Sequence, residues 1–327
     1  MGQKSFRVIL AVIALQMFAV PAWTQEKVRV ALPTISSGNV FHFIAQEKGF
    51  YREEKIEPSF EVTAPMVGVQ ATIAGDFQFT GSGSASILAS LKGAPMKLVF
   101  GQIPKVLWWL FAQPEVASVQ GLKGKTIGIE GPGTLSDVLT RDALKKQGLE
   151  PDRDVTFLGI GPVPNWYTSL KGKTVAAAIV SDPELYIRAK SDGFREIFFY
   201  GSHTKGVLYN LATSDKLLRD RPDLVKRFLR ASLKGLRVFL EDQPTAVQAI
   251  QKIHSLSPER AAEVYRLTVP HYHPSAEIDE NTIRATVVTM AQVLGVKDPL
   301  PPPERFSDFS ILRDVVRELQ ATGWKPR

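Results

Sequence analysis

The stretch that most restricts how this chain can fold runs from Leu122 to Leu149, LKGKTIGIEGPGTLSDVLTRDALKKQGL. The apolar run 126–129 enters a tight turn at Gly131-Pro132-Gly133, and apolar residues at 135, 138, 139, 143 and 144 then follow at helical spacing. Strand, glycine turn, helix is the building unit of an α/β sheet. The first N–H groups of such a helix lack partners within it and carry the positive end of the peptide dipoles, so the turn can receive an anion or a ligand oxygen. The same residues equally suit an ordinary strand-to-helix turn capped by Ser136, and a ligand role requires a second polar loop facing this one.

The unit recurs along the chain. KVRVALP, from Lys27, alternates as a strand, and the polar loop 34–39 leads into a helix through Val40, Phe41, Ile44 and Ala45 that ends at Gly49. A strand near 60–63 and a helix through Val69 and Ile73 stop at Gly75. Residues 77–80 form the next strand, and Gly81-Ser82-Gly83-Ser84 turns the chain into a helix over 85–91. A buried strand at 97–100 and the apolar run Trp108-Trp109-Leu110-Phe111 precede a break at 114–120, the expected first crossing between lobes. Strands at 155–159, 175–180 and 197–200 then alternate with helices at 167–170 and 184–190, and 207–212 is a returning strand. The expected fold class is α/β, with two sheets flanked by helices.

At 327 residues the chain exceeds what one core usually organises. The expected division is a signal peptide at 1–24, a first lobe at 25–113, a second at 114–206, and a return to the first lobe with C-terminal helices at 207–327. Lys4 and Arg7 precede an apolar block of about 13 residues, shorter than the roughly 20 that span a bilayer, and small residues at 22 and 24 follow. A cleaved secretory signal is expected, and with no cysteine in the chain there is no lipid attachment point, so the expected location is the periplasm.

Zero cysteines also exclude disulfides, thiolate metal sites and a cysteine nucleophile. The formal charge of +7 is spread without long basic runs, which argues against nucleic acid as a partner. Near the C-terminus, Pro222 opens an amphipathic helix whose Lys226, Arg227, Arg230, Lys234 and Arg237 read as a solvated basic face. His271 and His273 in HYHP lack further ligands at suggestive spacing, and His42, His203 and His254 are isolated. No G-x-S-x-G elbow, P-loop lysine or His-Glu-x-x-His occurs, so no catalytic residue, metal or cofactor is nominated.

The order of KVRVALP with its polar loop, GSGSASILASLKGAPMKLV, the 122–161 stretch with LKGK, GPGT, GLEPD and LGIG, and FSDFSILRDVVREL resembles the periplasmic solute-binding proteins of the alkanesulfonate, nitrate/taurine and thiamine-pyrimidine-precursor group. The resemblance implies a two-lobed type II periplasmic-binding-protein fold. A small anionic or heteroaromatic ligand would sit in the cleft and be delivered by hinge closure to an ABC permease and ATPase in the inner membrane. Its alternatives are a sensing module for a membrane receptor and a pyrimidine-synthase-like enzyme, the latter lacking the cysteines its iron site needs. The protein is expected to act as a monomer. Carried over, the contact positions are Thr34, Ser36, Ser37 and Asn39, then Ser82 and Ser84, then Gly133, Thr134 and Ser136, and Trp166. Where many members have an acid, this chain has Ala177 in GKTVAAA. From the residues themselves, Phe41, Trp166, Tyr167 and Tyr209 are candidate aromatic walls, and Asp182 and Asn210 candidate polar contacts. Ser84 and Thr134 are expected to face each other across the cleft.

Overall fold

The computed structural model describes residues 25–326 apart from Pro162 and Asp298; the expected signal peptide lies outside the described residues. Among the described residues ten strands form two five-stranded sheets. The first has the order β2-β1-β3-β10-β4, built from β1 (Glu26–Leu32), β2 (Ile56–Val62), β3 (Phe79–Ser82), β4 (Met96–Lys105) and β10 (Lys205–Ser214). The second has the order β7-β6-β8-β5-β9, from β5 (Trp109–Ala112), β6 (Thr126–Ile129), β7 (Thr156–Gly159), β8 (Ala177–Val180) and β9 (Arg195–Phe199). Each sheet holds a parallel trio, with Val30 opposite Phe79 in one and Ile127 opposite Ala177 in the other. Each also holds one antiparallel strand, β10 or β5, inserted next to the trio. The sequence shows no internal repeat, yet the two topologies match. Both antiparallel strands are the first met after the chain changes sheet.

That placement moves the first crossing. All four residues of Trp109–Ala112 are buried, as expected of an interior run, but β5 is hydrogen-bonded between β8 and β9 of the second sheet. The chain therefore changes sheet at 106–108 and returns at 200–204, and the break at 114–120 falls after the crossing, within the second lobe. Proline and charge at 114–120 signal a surface connection, which need not be the connection between lobes.

The first lobe's core explains why Phe41 is not a cleft wall. Its ring stacks on Phe100 at 5.6 Å, Phe79 stacks on Phe228 at 4.3 Å, and all four are fully buried. The helix Pro222–Glu241 crosses the helix Val40–Glu47 closely enough that a Cβ on Gly235 would lie 2.3 Å from the Phe41 carbonyl oxygen, so only glycine fits. Within this core the His42 ring bonds the Tyr51 hydroxyl at 2.8 Å, which bonds Ser232 Oγ at 3.0 Å. Burial holds His42 neutral, its pKa lowered to about 3. The basic side of Pro222–Glu241 is largely ion-paired instead of solvated. Arg227 meets Glu26, Arg230 meets Glu54 and Glu318, and Lys234 meets Glu53, at 2.7–2.8 Å. Three elements distant in sequence supply those carboxylates, which is why helical periodicity alone reads the face as free.

Candidate functional site

In both sheets the polar loops leave the carboxyl ends of the parallel strands, the edge at which open α/β sheets place ligands. On the first lobe, the loop after β1 is a folded hydrogen-bond nest. Asn39 Nδ2 donates to the Thr34 carbonyl at 2.7 Å, Asn39 Oδ1 accepts from Ser36 N at 3.1 Å, and Ser36 Oγ accepts from Gly38 N. The sequence Ser-Ser-Gly-Asn favours this because serine and asparagine side chains bond nearby backbone in turns. Ser36, Ser37 and Asn39 end up buried, and Thr34 half-buried. Tyr209, on β10 opposite Ser82, presses its ring on the loop, so that a Cβ on Gly38 would lie 2.1 Å from its Cδ1. Gln102, on β4, donates its amide to the Gly38 carbonyl at 3.1 Å.

On the second lobe, the chain leaving β8 through Ser181 and Asp182 starts the helix Pro183–Ser191, and this segment meets the first lobe directly. Ser37 N donates to Glu184 Oε1 at 2.9 Å, and Tyr209 Oη donates to the Ser181 carbonyl at 3.0 Å. Glu184 Oε1 also lies 3.1 Å from His254 Nε2, at the end of the helix Gln243–His254, without hydrogen-bond alignment. Tyr272 closes the group from behind, its hydroxyl donating to the Ser37 carbonyl at 2.7 Å. Two carboxyl groups thus sit together in a seam between lobes. Burial, then the neighbouring Glu184 charge, pushes Asp182 up to about 7. Burial likewise raises Glu184 and lowers His254. Tyr209 is held well above its ordinary value by burial and by both carboxyls.

The loop at 131–134 behaves differently. Gly133 N donates to Asp137 Oδ2 at 2.8 Å, Thr134 Oγ1 donates to the Gly131 carbonyl at 2.7 Å, and Ser136 Oγ accepts from Glu130 N at 2.9 Å. Gly133 N and the Thr134 and Ser136 hydroxyls are thus spent inside the loop, while Thr134 makes no side-chain capping bond to the helix Leu135–Lys146 that it starts. Ser84 Oγ donates to the Val207 carbonyl at 3.0 Å. It lines, with Leu135 beside Thr134, an interlobe crevice enclosing only about 10 Å³, room for no more than a water. Trp166 is 3 % exposed, packs edge-on against Trp108 in the second lobe's apolar cluster, and donates its indole N–H to the Gly161 carbonyl, so it belongs to the core. Tyr167 is buried nearby and bonds Asp192. Ala177 is fully buried in β8.

Of the residues nominated from sequence, the structure therefore brings together the 36–39 loop, Tyr209 and Asp182, with Ser82 and Asn210 alongside Tyr209. Glu184, His254, Gln102 and Tyr272 join them without having been nominated. Glu184 was hidden by its position, since an acid in the first turn of a helix is ordinary dipole chemistry. In HYHP, the tyrosine between the two histidines makes the contact. Among the described residues no group of three or more His, Asp or Glu could hold a metal ion. A wider hollow of about 330 Å³, lined by residues such as Glu196, Phe198 and His203, lies along the edge strand β9 and includes none of the residues above.

Residues 39–246 match the family described as NMT1/THI5 like, and the chain belongs to that family. It is 29% identical over 209 residues to the riboflavin-binding protein RibY of Chloroflexus aurantiacus, a match covering 60% of this chain and 57% of that protein's length. Its fold is that of the alkanesulfonate-binding protein SsuA from Xanthomonas axonopodis pv. citri, solved bound to MOPS, with a TM-score of 0.66 at 18% identity over 86% of this chain and 97% of that one. The desulfurization enzyme DSZB shares it too, with a TM-score of 0.66 at 13% identity over 90% and 99% of the two chains. The fold class is thus the two-lobed periplasmic-binding-protein one, which binding proteins and at least one enzyme use.

Proposed function

We propose that this member of the NMT1/THI5-like family is an extracytoplasmic solute-binding protein that encloses a small molecule between its lobes and presents the closed form to an ABC permease and ATPase. The observation that carries this reading is the seam itself. Ser37 and Tyr209 of one lobe bond Glu184 and Ser181 of the other, at the strand ends where ligands of open α/β sheets sit. Among the described residues two short connections, 106–108 and 200–204, join the sheets, which suits rotation about a hinge.

A solute touching both faces stabilises the closed form by its differential affinity for the two states. In this reading the contact set is Ser36, Ser37, Asn39, Ser82, Tyr209 and Asn210 on the first lobe, with Asp182 and Glu184 on the second. Among the described residues no helix is long and apolar enough to cross a membrane. Binding without chemical change, a periplasmic location reached by a cleaved signal, and action as a monomer belong to the same proposal. Small-angle scattering of the mature chain, with and without solutes that raise its melting temperature, tests it. A solute that raises the melting temperature should also reduce the radius of gyration. Solute consumed and converted in the same incubation would place the chain with the enzymes of this fold.

A further inference from the structure

We propose that Glu184, with Asp182, makes the cleft select a solute that brings hydrogen-bond donors or positive charge and reject sulfonates and other anions. This rests on the solute-binding reading and narrows it. Three observations point the same way.

The donor an anion would need is already taken. Ser37 N, at the start of the helical loop facing the seam, is bonded at 2.9 Å to a carboxylate from the opposite lobe. A sulfonate oxygen could reach that N–H only by displacing Glu184 and would then stand beside two carboxyl groups.

Among the described residues, the groups that face the acid pair include no lysine or arginine. They are Ser37 on the loop, Tyr209 on β10, His254 on the helix Gln243–His254 and Tyr272 after it, with Ser181 on the pair's own segment. None is lysine or arginine, and burial lowers the tendency of His254 to carry charge. Elsewhere on this chain carboxylates meet arginine or lysine readily, as Glu26 and Glu54 do.

The first lobe's wall leaves acceptors unused. Gln102 is 3 % exposed and Asn210 1 % exposed, and in each the amide nitrogen donates to a backbone carbonyl, of Gly38 and Val207 respectively. A carbonyl can only accept, so the amide orientations are fixed and the buried oxygens Gln102 Oε1 and Asn210 Oδ1 are acceptors without partners. Gln102's head group lies on Gly38, the neighbour of Ser37, and Asn210 adjoins Tyr209 and packs on Gly83. Buried polar atoms of native proteins are nearly always paired. Two unmatched acceptors on the first lobe, one on a side chain bonded to the loop that Glu184 touches and one on the residue next in sequence to Tyr209, suit a guest that supplies N–H groups.

The experiment uses the mature chain at about pH 8, where both carboxyls ordinarily ionise, and two probe sets: benzamidine, phenylguanidine and agmatine against ethanesulfonate, MOPS and nitrate. Melting temperature, calorimetric affinity and small-angle scattering are read for wild type, Glu184→Gln and Asp182→Asn. The expected result is that a cationic probe binds and closes the lobes, the anions do not, and both variants lose about tenfold or more in affinity for that cation. Two variants are used so that misfolding of one, checked by circular dichroism, leaves the other as the reporter. An anion that binds wild type more tightly than every cation overturns the charge assignment while leaving the solute-binding reading intact. So does a cation whose affinity neither substitution changes. No response to any of the six probes counts against both.

Discussion

Two loops of this molecule look alike as sequence and do opposite things in the structure. Ser36-Ser37-Gly38-Asn39 and Gly131-Pro132-Gly133-Thr134 each follow a short strand, contain glycine and start a helix. The first is buried, holds its own side chains in a nest, and lends Ser37 N to the opposite lobe. The second is half open to solvent, turns its side chains and Gly133 N onto itself through Asp137, Ser136 and Gly131, and leaves the helix start without a side-chain cap. A helix start is a potential anion site only while its N–H groups are free. In the first loop Ser37 N is taken by residue 184 of the other lobe, whereas in the second the side chains bond one another and the helix start stays uncapped.

Substitutions can break that contrast. The largest effect is expected from Gly38→Ala, whose Cβ would lie 2.1 Å from the Tyr209 ring. The ring is tethered at its far end to Ser181, so it cannot swing aside freely, and overpacking should cost about 1–3 kcal/mol in a chemical denaturation experiment. Gly133→Ala meets no atom within 4 Å and suffers only the left-handed backbone at φ +75°, a cost of about 1 kcal/mol. Equal losses in the two variants would mean that the first loop is no more tightly held than the second.

Acidity should act on the seam, where two carboxyls are raised together. The pKa of Asp182 is raised to about 7 in the closed form and Glu184 is raised with it, whereas in an open form both would be solvated and nearer their ordinary values. The closed form then binds more protons than the open one between those values. Closure of the empty protein is accordingly favoured at acid pH and lost as pH rises through about 7. Of the groups facing the pair, Tyr209 and Tyr272 are raised and keep their protons, whereas His254, lowered by burial, works against this trend, so the sign rests on two raised carboxyls against one imidazole. Scattering curves between about pH 5 and 8 check it; a radius that falls with rising pH contradicts it.

Smaller effects sharpen the contrast. Tyr209→Phe deletes the bond to the Ser181 carbonyl and should shift the equilibrium toward the open form by about 0.5–1.5 kcal/mol, read from the ligand-free scattering profile. Thr134→Ala removes two internal loop contacts and should lower stability by about 0.5 kcal/mol while leaving solute affinity unchanged. A Thr134→Ala variant with clearly weakened solute binding would return that loop to the site.

Much of the scaffold is legible from residue order. The run 126–129 is a strand as the apolar pattern says, and Gly49 and Gly75 mark the helix ends they signal, both with positive φ. The sheet to which Trp109–Ala112 belongs is not legible, because a fully apolar run suits any central strand. Trp166 reads as a cleft wall and is core, since a tryptophan at a helix start serves either role and only its indole partner, the Gly161 carbonyl, decides.

The amino-acid order by itself determined the local units: hydrophobic period, proline and glycine punctuation and polar loop chemistry act over a few residues, so an α/β chain with helix-start loops follows from them. Which loops face each other was decided only by the tertiary structure. Glu184 meets Ser37 across 147 residues of sequence, and His254 meets Glu184 from a third segment. Charge and desolvation depend on distance in space, so the character of the seam emerges only once the two sheets are brought together.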